Sequence, residues 1–198
     1  MLHICAVSFT GLLYKHCNLP VDRRAVYIYG VELFFSTALA AISILMISFG
    51  VGKITSGILF ILIFVSLRVF VGGFHASTYR NCFLLTNSVF LATLAGSTLL
   101  EKCKLPIQML SLIPSIGTIW MLAPISNIHH PLSEEACQIN KKIGRILVGI
   151  ESLISISIDL FIGRTDFAIL PITSASIAAV AVMMIIPKII ERRGTYLG

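Results

Sequence analysis

The chain has 198 residues, 57% of them hydrophobic and only 12% charged, with a mean hydropathy of +0.94. Soluble domains carry about 25% charged residues, so this composition excludes an ordinary water-soluble fold and leaves no room for a large extramembrane domain. The net charge of +6 is accounted for by membrane topology, as shown below, and needs no nucleic-acid partner.

The first 27 residues form one segment. Its apolar part has no basic leader and its basic residues follow, which is unlike a cleavable signal. Leu2, Ala6, Phe9, Leu13 and Cys17 share a helical face, with His3, Thr10 and His16 elsewhere. The pattern predicts an amphipathic helix lying in the inner membrane interface. A short buried bundle helix fits it equally well.

A helix needs about 20 apolar residues to cross the hydrocarbon core. Six stretches qualify in turn: Gly30–Phe49, Gly57–Phe70, Cys82–Leu100, Leu105–Ile125, Ile146–Ile162 and Phe167–Ile186. The first contains one acid, Glu32, and the second carries Arg68 near its end. The fourth is interrupted by Pro106, Pro114 and Pro124, and the fifth holds Glu151 and Asp159. Backbone groups in lipid must bond internally, so these spans should be helices. The expected fold is all-α: a polytopic membrane bundle of about six spans, residues 1–198 forming a single integral-membrane domain. Between the fourth and fifth spans lies the longest polar segment, 126–145. Ser133 followed by Glu134 and Glu135 reads as a helix start there, predicting a short surface helix before the fifth span.

Six spans put both termini on one side. That side would receive Lys15, Arg23, Arg24, Arg68, Arg80, Lys141, Lys142, Arg145, Lys188, Arg192 and Arg193, leaving Lys53, Lys102, Lys104 and Arg164 for the other. By the positive-inside rule the termini are cytoplasmic. The five cysteines have no repeated spacing, as suits a reducing compartment rather than a disulfide framework.

The loop between the second and third spans then faces the cytoplasm, and it contains "RVFVGGFHASTYRNC", residues 68–82. His75 and Cys82 pair a base with a thiol, the combination that generates a nucleophilic thiolate. In an unbroken helix seven residues would separate their Cα atoms by about 10 Å, too far for a hydrogen bond. A catalytic pair therefore requires the chain to turn between them. Gly72 and Gly73 supply a break, and the polar residues of "STYRN" suit a turn. Backbone N–H groups near Gly72, Gly73 or the start of the third span would support an oxyanion. Each element also has a plainer role: a packing cysteine, an interfacial histidine, an arginine reaching for headgroups, a glycine turn.

The motif resembles that of the accessory gene regulator B family of bacterial membrane peptidases: an arginine, a Gly-x-His, and a cysteine seven residues beyond the histidine, here Arg68, Gly73, His75 and Cys82. The resemblance extends to chain length, several spans, a basic inner face and Ala123-Pro124 before a polar loop. It implies a cysteine endopeptidase of the bacterial cell membrane, with its active site at the cytoplasmic face. Its substrate would be a small AgrD-like precursor peptide, whose C-terminal tail is removed while the rest stays on the enzyme as a thioester. An internal thiol or hydroxyl then closes a thiolactone or lactone, giving a cyclic autoinducing peptide for quorum sensing. Cys82 would be the nucleophile and His75 the base, with Arg68, Gly72 and Gly73 supporting substrate or oxyanion. A homodimer is implied, and no cofactor or metal.

Two features lie outside the motif. Glu151 is a candidate for orienting His75, although an inter-helix pairing role suits an intramembrane acid as well. The basic face formed by Arg23, Arg24, Arg80, Lys141, Lys142 and Arg145 would complement an acidic precursor tail, while the positive-inside rule alone would also place these residues there. Two other classes compete: a multispan peptide exporter without proteolysis, which would tolerate Cys82→Ser, and a metal protein using His129, His130 and Cys137, whose spacing matches no familiar zinc site.

Overall fold

The computed structural model describes residues 2–17, 24–74, 78–103, 105–125, 133–161 and 169–192. Among these the secondary structure is all helical: α1 (Leu2–His16), α2 (Arg24–Gly50), α3 (Ile54–Val71), α4 (Tyr79–Glu101), α5 (Leu105–Leu122), α6 (Glu134–Phe161) and α7 (Ile169–Arg192).

Four helices are long and apolar enough to cross a membrane: Arg24–Gly50, Ile54–Val71, Tyr79–Glu101 and Ile169–Ile190. The stretch Ile107–Leu122 is apolar but shorter. α6 has the length, but its first turns are polar and Glu151 and Asp159 dilute the rest. The surface helix and the fifth span expected as separate elements are one continuous helix of 28 residues. Ser133 caps its start, accepting from the Ala136 N–H at 3.3 Å. No glycine or proline interrupts the sequence between that cap and the apolar stretch in a way that would stop the helix.

α7 is the central element and packs against α3, α4, α5 and α6. Its Leu170, Ile172, Ile177, Val180 and Met184 are buried. α3 contributes Phe60, Phe64, Leu67 and Val71, a stripe at helical spacing. The Phe60 ring stacks on Phe64 at 4.9 Å and meets Phe90 of α4 at 5.1 Å. Much of the remaining interior is small and hydroxylated. Ser155 Oγ donates to Thr173 Oγ1 at 2.9 Å between α6 and α7. Gly57 of α3 faces Ser48 of α2, where an added Cβ would come within 2.0 Å of Ser48 Oγ. Helices in lipid gain little from burying apolar surface against each other, so close approach through small residues supplies the packing instead.

The outside is the reverse of a soluble surface. Met46, Phe49, Leu110, Met121 and Phe161 are all more than two-thirds exposed. Apolar exposure on this scale suits acyl chains rather than water.

α1 packs on α2. Among its described side chains those it buries are Ala6 and Thr10, both 0% exposed. The apolar face drawn from the sequence held Phe9 and Cys17, which are exposed, and left Thr10 out. Small side chains win the contact because they let the two backbones approach. Phe9 lies against Phe35 edge-on at 5.7 Å instead.

Candidate active site

α3 stops at Val71 because two glycines follow in conformations that other residues rarely adopt, φ 73° at Gly72 and 129° at Gly73. The Gly72 N–H closes the helix by bonding to the Arg68 carbonyl at 3.1 Å. The segment is then fixed from two sides. The Ile125 N–H bonds to Val71 O at 2.9 Å, and the Phe74 N–H bonds to Met183 O of α7 at 2.8 Å. A side chain is blocked at Gly72 and strained at Gly73. A Cβ on Gly72 would fall 2.2 Å from Ile125 O, and one on Gly73 would meet Met183 O at 3.1 Å and Arg68 Nη1 at 3.3 Å.

Arg68 turns back under this segment. Its Nη2 donates to the Phe74 carbonyl, and its guanidinium lies over the Phe64 ring, 5.4 Å from the centroid. One side chain thus links the end of α3 to the segment that leads into His75. His75 itself lies outside the described residues, with Ala76 and Ser77.

The chain is described again at Thr78, the N-cap of α4, whose side chain accepts from the Asn81 N–H at 3.2 Å. Tyr79, Arg80 and Asn81, expected in the turn, are the first residues of α4. An N-cap hydroxyl with polar residues after it is a helix start, and that signal outweighs their turn tendency. Cys82 stands one residue further, half-buried, its N–H already bonded to Thr78 O at 2.9 Å. Gly72, Phe74 and Cys82 therefore have their N–H groups occupied. The parallel bridge between Gly72 and Ile125 sets the Gly73 N–H toward the Ile125 carbonyl.

A second cluster adjoins this one and was not foreseen. Glu32 of α2, 8% exposed, has both carboxylate oxygens engaged. Tyr79 Oη donates to Oε2 at 2.6 Å, and His3 Nδ1 stands 2.5 Å from Oε1. Three helices meet on this one group, and Tyr79 is three residues before Cys82, on the same face of α4. The signal was available: a lone acid in an apolar span marks a site that needs partners.

Glu151 faces α3 rather than the motif's cysteine. Its Oε1 accepts from Ser66 Oγ at 2.8 Å, and its Oε2 is buried with no partner among the described residues. Ser66 precedes Gly72 by six residues, about 9 Å along the helix. Among the described residues no group of three or more His, Cys, Asp or Glu is gathered as metal ligands would be, and no disulfide joins the five cysteines. His129 and His130 lie outside the described residues.

The arrangement is that of a multi-pass helical membrane protein carrying an arginine-held diglycine turn beside a cysteine at a helix start. The family model of accessory gene regulator B matches residues 6–188, and the chain belongs to that family. Its role accordingly lies in processing the autoinducing peptide of an accessory gene regulator system, and it is a multi-pass membrane protein. Searches of curated proteins and of solved structures each found no match.

Proposed function

We propose that the chain is a membrane cysteine endopeptidase that removes the C-terminal tail of an AgrD-like precursor and helps close the remaining peptide into a thiolactone or lactone. The observation that carries this reading is the helix break at the diglycine, held by Arg68 on Phe74, followed by Cys82 in the first turn of α4. The sequence problem was the long gap between His75 and Cys82 in a continuous helix. α3 ends at Val71 and α4 begins at Tyr79, so no continuous helix separates them. His75 follows an anchored residue and precedes the N-cap by three.

In this mechanism Cys82 attacks the scissile carbonyl while His75 takes the thiol proton and then delivers it to the leaving amine. Arg68 holds the segment leading into His75 through its bond to the Phe74 carbonyl. The N–H groups of Tyr79 and Arg80, in the first turn of α4, receive the oxyanion. Gly72 serves by turning the chain. The acyl-enzyme is a thioester, and its transfer to a peptide thiol is nearly balanced, whereas hydrolysis runs downhill. Cyclisation therefore depends on holding the internal nucleophile close and keeping water out.

The topology that goes with this function has six spans, α2 to α7, within a single membrane domain. α1 lies in the cytoplasmic interface, and both termini and the site are on the cytoplasmic side. Arg24 and Arg80, both exposed, offer charge to an acidic precursor tail, and two copies of the chain form a homodimer.

The test is mass spectrometry of a cognate precursor incubated with the protein in lipid, beside Cys82→Ala and His75→Ala. Tail release by the wild type, with a core lighter by one water than the hydrolysed peptide, and neither product from the variants, is the expected result. Continued cleavage by Cys82→Ala would overturn the site. A wild type that moves intact precursor across vesicles without cutting it would favour the exporter.

A further inference from the structure

α5 and α6 leave between them an open groove of about 540 Å³. One end is cationic, lined by Lys141, Lys142 and Arg145, and the other is apolar, with Ile146, Ile150 and Leu153. Trp120 of α5, the single tryptophan of the chain, forms part of its wall. Arg145 is fixed there: its Nη2 donates to Trp120 O at 2.6 Å, and its guanidinium lies 5.2 Å from the Trp120 ring centroid. Its Nε is buried with no partner among the described residues. Among those residues no carboxylate forms an ion pair with any of the three cations.

The groove looks away from the catalytic segment. Gly144 marks the face of α6 that meets α3, since a Cβ there would fall 2.6 Å from the Val71 side chain. At 100° per residue, Leu153 is rotated about 180° and Ile146 about 200° from Gly144. Ile146, Ile150 and Leu153 are correspondingly about half or more exposed, as residues facing lipid would be. A precursor held here would lie on the wrong side of α6 to reach Cys82.

A ligand for this groove needs an anionic head beside an acyl chain, both aligned along the helix. Basic pockets between membrane helices take phospholipid headgroups for this reason. We propose that the α5–α6 groove binds an anionic phospholipid, its phosphate on Lys141, Lys142 and Arg145 and a chain along Ile146, Ile150 and Leu153. The bilayer is the source rather than free phosphate, because the apolar half of the groove is matched only by a chain. This inference does not depend on the peptidase chemistry.

Trp120 is a built-in reporter. The full-length protein would be placed in phosphatidylcholine vesicles containing either dibrominated phosphatidylglycerol or dibrominated phosphatidylcholine, and Trp120 quenching titrated. The expected result is a preference for the anionic lipid of roughly fivefold or more. It should fall close to unity in Lys141→Gln/Lys142→Gln and weaken with salt. Unchanged quenching of that variant by brominated phosphatidylcholine would show that it is still inserted and folded. Equal quenching of the wild type by both lipids would overturn the proposal. So would loss of the preference on replacing chloride by inorganic phosphate at constant ionic strength, which would name a free anion as the ligand. Protection of Trp120 from both lipids by an acidic peptide would overturn it in favour of a peptide site.

Discussion

Tyr79 Oη donates to Glu32 Oε2 across 2.6 Å, joining α2 to the first turn of α4 three residues before Cys82. Removing either partner takes this hydrogen bond from the other, a loss of roughly 1–3 kcal/mol for a bond to a charged group. Glu32→Ala and Tyr79→Phe should therefore each lower thermal stability in detergent and slow tail cleavage several-fold. The double variant should lose clearly less than the sum of the two, with a coupling above about 0.5 kcal/mol in a double-mutant cycle. Strict additivity would mean that the contact contributes nothing.

Arg68 Nη2 donates to the Phe74 carbonyl and so fixes the segment that leads into His75. A hydrogen bond from a charged group contributes about 1.5–3 kcal/mol, so Arg68→Gln should lower peptide cleavage on the order of tenfold or more. Arg68→Lys should restore little of it, because a point charge does not replace the planar fork that holds Phe74. Wild-type cleavage by Arg68→Gln would remove Arg68 from the site.

The two glycines should respond differently to alanine. At Gly72 the new Cβ would meet the Ile125 backbone at 2.2 Å, so Gly72→Ala should fail to give a folded, monodisperse protein on size-exclusion chromatography. At Gly73 the neighbours stand at 3.1 Å and beyond and one of them is the flexible Arg68. Gly73→Ala should fold with a loss of about 1–3 kcal/mol from the strained φ. It should lose disproportionate activity, because Arg68 has to move.

Glu151 meets Ser66, about one and a half turns below the diglycine. Glu151→Gln keeps an oxygen for the Ser66 hydroxyl and should leave cleavage within about threefold of wild type. A hundredfold fall with normal thermal stability would instead make Glu151 the acid that orients His75.

The sequence was most legible where a single chemical demand fixes the pattern. Runs of apolar residues announced a helical membrane protein, and all the described elements are helices. The boundaries were less legible. The polar residues at 79–81 suit a turn as well as a helix start, and only the Thr78 cap decides between them. The segment leading into α6 carried a correct cap signal at Ser133, but nothing local showed that one helix would run on through the apolar stretch. Length and apolarity mark four spans among the described residues; the apolar stretch of α5, Ile107–Leu122, is shorter, and the polar first turns and acids of α6 dilute its hydropathy.

By itself the sequence determined the solvent, the helical class, and the motif of Arg68, Gly73, His75 and Cys82. These depend on composition and on neighbours in the chain, which a linear reading captures. The tertiary structure alone decided that Glu32 gathers His3 and Tyr79, that Gly72 rests against Ile125, and that Glu151 belongs to Ser66. Each of these joins residues 29 to 85 positions apart. In a bundle held by close packing of small residues, such partners are set by the register and rotation of whole helices. No local pattern encodes that register, which emerges only when all the helices satisfy their polar groups together.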